Sequence, residues 1–97
     1  MAQLLDDFQT QFPDIWAAYT QLKAACDQEG PLDRKTIELI KIGISTALEH
    51  EGGLIAHIAQ ARKAGARDAE IYQAIVSTTG LAGLPATLKA FAAAKNS

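Results

Sequence analysis

The sequence predicts an all-α bundle of compact, antiparallel helices, and three observations point to it. Apolar residues recur at three- and four-residue spacing, Gly and Pro pairs punctuate the stretches between them, and no segment alternates apolar with polar residues as a half-buried strand does. Ninety-seven residues, 48% of them hydrophobic, are enough for one core, so a single domain over residues 1–97 is expected.

Pro13 suits the first position of a helix because its φ is fixed and it has no N–H to leave unpaired. A helix is expected from there, carrying Trp16, Tyr19, Leu22 and Cys26 and stopped by Gly30-Pro31. Trp16 and Tyr19 read as core or interface residues and Cys26 as a small buried hydrophobe. Asp33 can accept hydrogen bonds from the free N–H groups of the next helix, with Leu32 and Ile37 at the staple positions on either side. That helix shows Ile37, Ile40, Ile44, Ala47 and Leu48 at helical spacing, while Leu39 and Ile42 widen the apolar arc, so burial on more than one side is expected.

Gly52-Gly53 is expected to interrupt the pattern, since paired glycines weaken a helix. A further helix should follow, with Leu54, Ile58 and Ala61 on one face and Gly65 as its cap after the basic turn of Arg62 and Lys63. Asp68 and Glu70 place negative charge in the first turn of a helix bearing Ile71, Ala74, Ile75 and Thr78, closed by Gly80-Leu81-Ala82-Gly83. Pro85 opens the last helix, with Leu88, Phe91 and Ala92 inward and Lys95-Asn96-Ser97 left to fray.

The charge balance narrows the classes of partner. A net charge of −2, with Lys and Arg scattered among Asp and Glu, offers no basic stripe for phosphates, so nucleic acid is not expected. Asp6 and Asp7 stand where a secretory signal carries positive charge, and no run approaches the roughly 18 apolar residues of a membrane span. A cytoplasmic protein with no membrane partner is the expectation. Cys26, the single cysteine, cannot close an internal disulfide. One helix ringed by apolar residues in so short a chain implies a subunit interface, and hence a homo-oligomer.

The segment Leu32–His57, LDRKTIELIKIGISTALEHEGGLIAH, carries the chemistry. It resembles the signature of the alkylhydroperoxidase (AhpD-like) and carboxymuconolactone decarboxylase family, in which a Glu is followed after eleven residues by Cys-x-x-Cys and, after three more, by His. Glu38 and His57 stand in that register, while His50 occupies the first cysteine position and Gly53 the second. KAGARDAEIYQAI and GLPATLKAF are similar to later phrases of the same family, so the signature region covers residues 32–93.

The resemblance implies an AhpD-like helical bundle, assembly into trimers or trimer-based hexamers, and catalytic candidates Glu38, His57 and His50. It does not imply thiol peroxidase chemistry, because the thiolate is the nucleophile there and neither His50 nor Gly53 can replace it. What it implies instead is the branch whose founding activity decarboxylates a carboxylated unsaturated lactone, a reaction that needs a proton donor at the carbon losing carbon dioxide. His57 or His50 is then the donor and Glu38 orients the imidazole. Lyase chemistry on a small molecule, with no cofactor, is favoured over antioxidant peroxidase activity. A non-catalytic binding module is a third reading: His50, His57 and Glu38 are a workable donor set for zinc or iron. In an unbroken helix, however, the two imidazoles stand about 10 Å apart by the helical rise, so only a bend at Gly52-Gly53 or a neighbouring subunit could bring them onto one ion. Arg34, Lys35, Lys41, Arg62 and Lys63 are the cations near the segment that could face an anionic substrate.

Overall fold

The computed structural model describes residues 2–97, and the regular elements among them are all helical: α1 (Ala2–Gln11), α2 (Pro13–Cys26), α3 (Arg34–Ala47), α4 (Glu51–Lys63), α5 (Asp68–Val76), α6 (Thr79–Ala82) and α7 (Leu84–Lys95). Contacts divide the chain into two compact units, Met1–Gly30 and Pro31–Ser97. No helix among the described residues is long and apolar enough to cross a membrane.

In the first unit Pro13 opens α2 as expected, but α1, which the sequence reading does not contain, precedes it. Its signal is the spacing of Leu4, Leu5 and Phe8, obscured by Asp6 and Asp7 between them. Phe8 packs on Phe12 and Trp16, with ring centroids 5.3 and 6.4 Å apart, and Trp16 on Tyr19 at 5.5 Å. Neither helix buries a residue. Cys26, expected to be a buried hydrophobe, is exposed, because it ends α2 on a helix that has no inward face.

The second unit has one core. Ile42, Leu54, Ile58, Ala61, Ile71, Ile75, Ala90 and Ala94 are buried together, with Leu39, Tyr72 and Phe91 packed against them. α3 lies against α4 and α5, and α7 against both of these. Asp33 caps α3 as predicted, its Oδ1 accepting from the Thr36 N–H at 2.8 Å, and bonds from the Thr36 side chain and amide hold its carboxyl below the usual range. At α5 the Arg67 N–H donates to Glu70 Oε1 at 2.9 Å; this bond first, and then Lys35 at 3.0 Å, lowers the Glu70 carboxyl in the same way while joining α3 to α5.

Three expectations are corrected. The inward face of α3 is Glu38, Ile42, Ser45 and Thr46, not the isoleucine stripe: Ile40 and Ile44 remain 46% and 53% exposed. The four buried residues are themselves at helical spacing, but three are polar and are hidden from a reading of apolar period alone. Thr46 is satisfied by the Ile42 carbonyl of its own helix at 2.8 Å, and Glu38 by partners described below. On α7 the same substitution occurs: Ala86, Thr87, Ala90 and Ala94 are buried, whereas Leu88 and Ala92 are exposed and Phe91 is half-buried. Small residues face in because they let the helices approach closely.

Third, Gly52-Gly53 does not interrupt the helix. α4 starts at Glu51 and runs through both glycines, with His50 as its N-cap residue. The reversal is made earlier, at Leu48–His50. There the Glu49 N–H bonds to Thr46 O at 3.1 Å and the His50 N–H to Ser45 O at 3.0 Å, the paired bonds of a Schellman motif. The end of α4 repeats it, from Gly65 to Arg62 and from Ala66 to Ala61. Gly65 adopts φ 97° there without steric cost, but Glu49 holds φ 53°, a left-handed conformation that costs an ordinary side chain about 1 kcal/mol. The non-glycine position whose backbone most favours glycine is therefore Glu49, and the reversal falls before the Gly52-Gly53 pair.

Candidate functional site

The short reversal between α3 and α4 makes the two helices neighbours and sets the second turn of α3 beside the second turn of α4. Glu38, only 4% exposed, thereby meets His57: Glu38 Oε1 and His57 Nδ1 are 2.8 Å apart. A carboxylate can only accept, so with Glu38 ionised the Nδ1–H donates and Nε2 is the nitrogen left for chemistry. The His57 side chain is 23% exposed, which keeps the imidazole within reach of solvent while the carboxylate behind it is buried.

The second carboxylate oxygen faces α3 itself. Arg34, one turn earlier, places Nη1 3.4 Å from Glu38 Oε2. The sequence contains this pairing as an i, i+4 relation, but among five nearby cations only the structure singles out Arg34. Lys35 is directed to Glu70 and Arg62 to Asp68 at 3.2 Å.

His50 is not part of this constellation. It is exposed at the start of α4, makes no side-chain capping bond, and is seven residues from His57 along an unbroken helix, about 10 Å by the helical rise. It lines a separate hollow of about 10 Å³, room for roughly one water, with Thr46, Glu49, Leu54, Lys89 and Ala90 among its walls. Neither Glu38 nor His57 borders that space. Among the described residues no group of three or more His, Cys, Asp or Glu is placed to hold a metal ion, so Glu38, His50 and His57 do not assemble as ligands within one chain.

The ring of His50 explains Gly53. A Cβ added to Gly53 would lie 2.4 Å from His50 Nδ1 and 3.1 Å from Cε1, whereas one added to Gly52 meets nothing within 4 Å. The two residues at the cysteine positions of the signature are thus sterically matched: the imidazole occupies the space a side chain at 53 needs. Gly52→Ala is expected to raise stability by about 0.5–1 kcal/mol, the ordinary gain of alanine over glycine in a helix. Gly53→Ala should fall short of that gain while His50 is present and recover it in a His50→Ala background. Urea unfolding of these variants is the check, and equal gains at both glycines with His50 intact contradict the contact.

Comparison with known proteins follows the same lines. The family model described as the carboxymuconolactone decarboxylase family matches residues 13–96. A crystal structure of the apo form of a carboxymuconolactone decarboxylase family protein from Legionella pneumophila superposes with a TM-score of 0.89 at 24% identity, covering 97% of this chain and 84% of that one. At that identity the likeness speaks for the fold. No curated protein matches the chain in sequence.

Proposed function

The chain belongs to the carboxymuconolactone decarboxylase family, and we propose on that premise that it is a thiol-free member that decarboxylates a carboxylated unsaturated lactone by proton transfer through His57. The observation that carries this reading is the 2.8 Å contact of a buried carboxylate with Nδ1 of an imidazole whose side chain is 23% exposed. As the carbon–carboxylate bond breaks, carbon dioxide leaves and its electron pair passes into the unsaturated lactone as an enolate-like anion. The His57 imidazolium then delivers the Nε2 proton to the carbon that lost the carboxylate; the ring is left neutral with Nδ1–H still directed at Glu38, and Nε2 takes up a proton from solvent before the next turnover. Glu38 orients the ring and stabilises the imidazolium; it does not itself exchange the proton. His50 takes no part in this scheme and serves instead to fill the space above Gly53.

Self-association belongs to the same proposal. Ile40, Ile44 and Leu81 are 46%, 53% and 94% exposed and border a groove of about 410 Å³, an apolar face that a second copy can cover.

The test is release of carbon dioxide from carboxymuconolactone by the purified protein and by its Cys26→Ser variant. Equal turnover by both is expected, since no step uses sulfur. Absence of turnover overturns the reading, and peroxide reduction that survives Cys26→Ser without an added metal overturns it in favour of the peroxidase branch.

A further inference from the structure

We infer that the α1–α2 arm of one copy seats in the groove between α3 and the α5–α6 segment of a second copy, an inference that deepens the self-association proposed above and rests on it. The first observation is a seam. Leu5, Phe8, Phe12, Ile15, Tyr19 and Leu22 alternate three- and four-residue spacing, the repeat of a stripe that packs along one neighbouring helix. The Phe12 N–H donates to Phe8 O at 2.8 Å and the Trp16 N–H to Phe12 O at 2.9 Å, so helical bonding carries that spacing from α1 into α2. All six residues are 39–63% exposed. Helices of 10 and 14 residues are marginal in water by themselves, and their stability comes from covering such a stripe.

The second observation is a groove with the matching repeat. Ile40, Ile44 and Ala47 follow the same four- and three-residue spacing along its α3 side, and Leu81 lines it from α6. Gly43 and Ala74, which also line it, have side chains small enough for a helix to approach closely, the geometry of an apolar helix face laid in a groove. Seam and groove are both open in one chain, so each copy offers an uncovered helix face and an uncovered place for one.

Charge selects between the possible pairings. Residues 1–30 carry Asp6, Asp7, Asp14, Asp27 and Glu29 against Lys23, a net charge of −4, so residues 31–97 of a chain of net −2 are at +2. Arm against arm sets −4 on −4. Groove against groove sets +2 on +2 and leaves the seam in water. Arm in groove opposes the signs and covers both apolar faces at once. Because the contact joins two different patches, copies close by exchanging arms or in a ring.

Sedimentation equilibrium of the full chain and two variants tests this. Ile15→Gln with Leu22→Gln alters the arm, and Ile40→Gln with Ile44→Gln alters the groove; glutamine keeps the charge and suits a helix. Each variant should raise the dissociation constant by about 100-fold, the loss expected for two apolar side chains withdrawn from an interface. An equimolar mixture should associate more strongly than either variant alone, because the intact arm of the groove variant meets the intact groove of the arm variant. Cooperative urea unfolding confirms that each variant keeps its core, and the single substitutions Leu22→Gln and Ile44→Gln replace a pair that does not. An arm variant that associates as the parent does, or a mixture no stronger than its components, overturns the inference and leaves self-association by another face. A parent chain that is monomeric at every concentration overturns self-association itself, and the inference with it.

Discussion

His57→Asn is expected to lower kcat for lactone decarboxylation by about 10²–10⁴-fold, the range over which a positioned general acid acts. Asparagine is chosen because its amide can still donate to Glu38 Oε1, so the variant does not leave a carboxylate of 4% exposure without a partner. The loss then reports the missing proton donor and not a collapsed helix pair. KM should change little, since the ring is assigned to proton delivery and not to holding the substrate. Steady-state carbon dioxide release over a range of lactone concentrations is the measurement. A kcat within about threefold of the parent value removes His57 from the reaction, since that is far below what general acid catalysis contributes.

The largest effect on stability is expected on α3, where two isoleucines two positions apart have opposite environments. Ile42 is fully buried in the core of the second unit, and Ile44 is 53% exposed. Ile42→Ala removes buried methyl groups and leaves a cavity between α3 and its neighbours, and should cost about 2–5 kcal/mol. That is a large part of the 5–15 kcal/mol by which ordinary domains are stable, roughly. Ile44→Ala should cost less than about 1 kcal/mol in dilute protein, where the side chain is already in water. With the proposed self-association over the isoleucine stripe, the Ile44→Ala deficit grows with protein concentration, while the Ile42→Ala deficit is present at any concentration. Urea midpoints of both variants across a dilution series decide the matter; equal losses at low concentration contradict the assigned inward face.

Much of the architecture is legible in the sequence because caps and punctuation act locally. Asp33, Gly65 and the acidic start at Asp68 mark helix ends through bonds made within a turn, and the structure keeps each at its expected place. The orientation of α3 and α7 is not legible in the same way. Their inward faces are polar or small, Glu38, Ser45 and Thr46 on one and Ala86, Thr87, Ala90 and Ala94 on the other, so apolar periodicity points to the wrong arc. Burial of such residues depends on partners across the core that no local pattern displays. Gly52-Gly53 misleads for a related reason: the His50 ring lies over Gly53, nothing in the structure accounts for Gly52, and the chain turns at Glu49 instead.

The candidate site divides along the same line. The register that joins Glu38 to His57 is visible in the sequence, and the structure brings the two side chains together. His50, in the same register, lies at the start of α4, away from His57, because the helix runs through Gly52-Gly53 where the sequence reading places an interruption. Arg34 is a residue the sequence offers only as one cation among several; its pairing to Glu38 needs the rotamer of a buried carboxylate, which spacing does not fix.

The most direct test of the Glu38–His57 pairing is a double-mutant cycle in kcat/KM for carboxymuconolactone, using Glu38→Gln, His57→Asn and the two together. Glu38→Gln alone should lower kcat/KM by about 10- to 100-fold, because a neutral amide stabilises the imidazolium less than a carboxylate does. If the carboxylate works only through the ring, the double variant falls no further than His57→Asn, and the two losses do not multiply. A double variant whose loss is the product of the single losses contradicts a shared hydrogen-bonded pair as the origin of the activity.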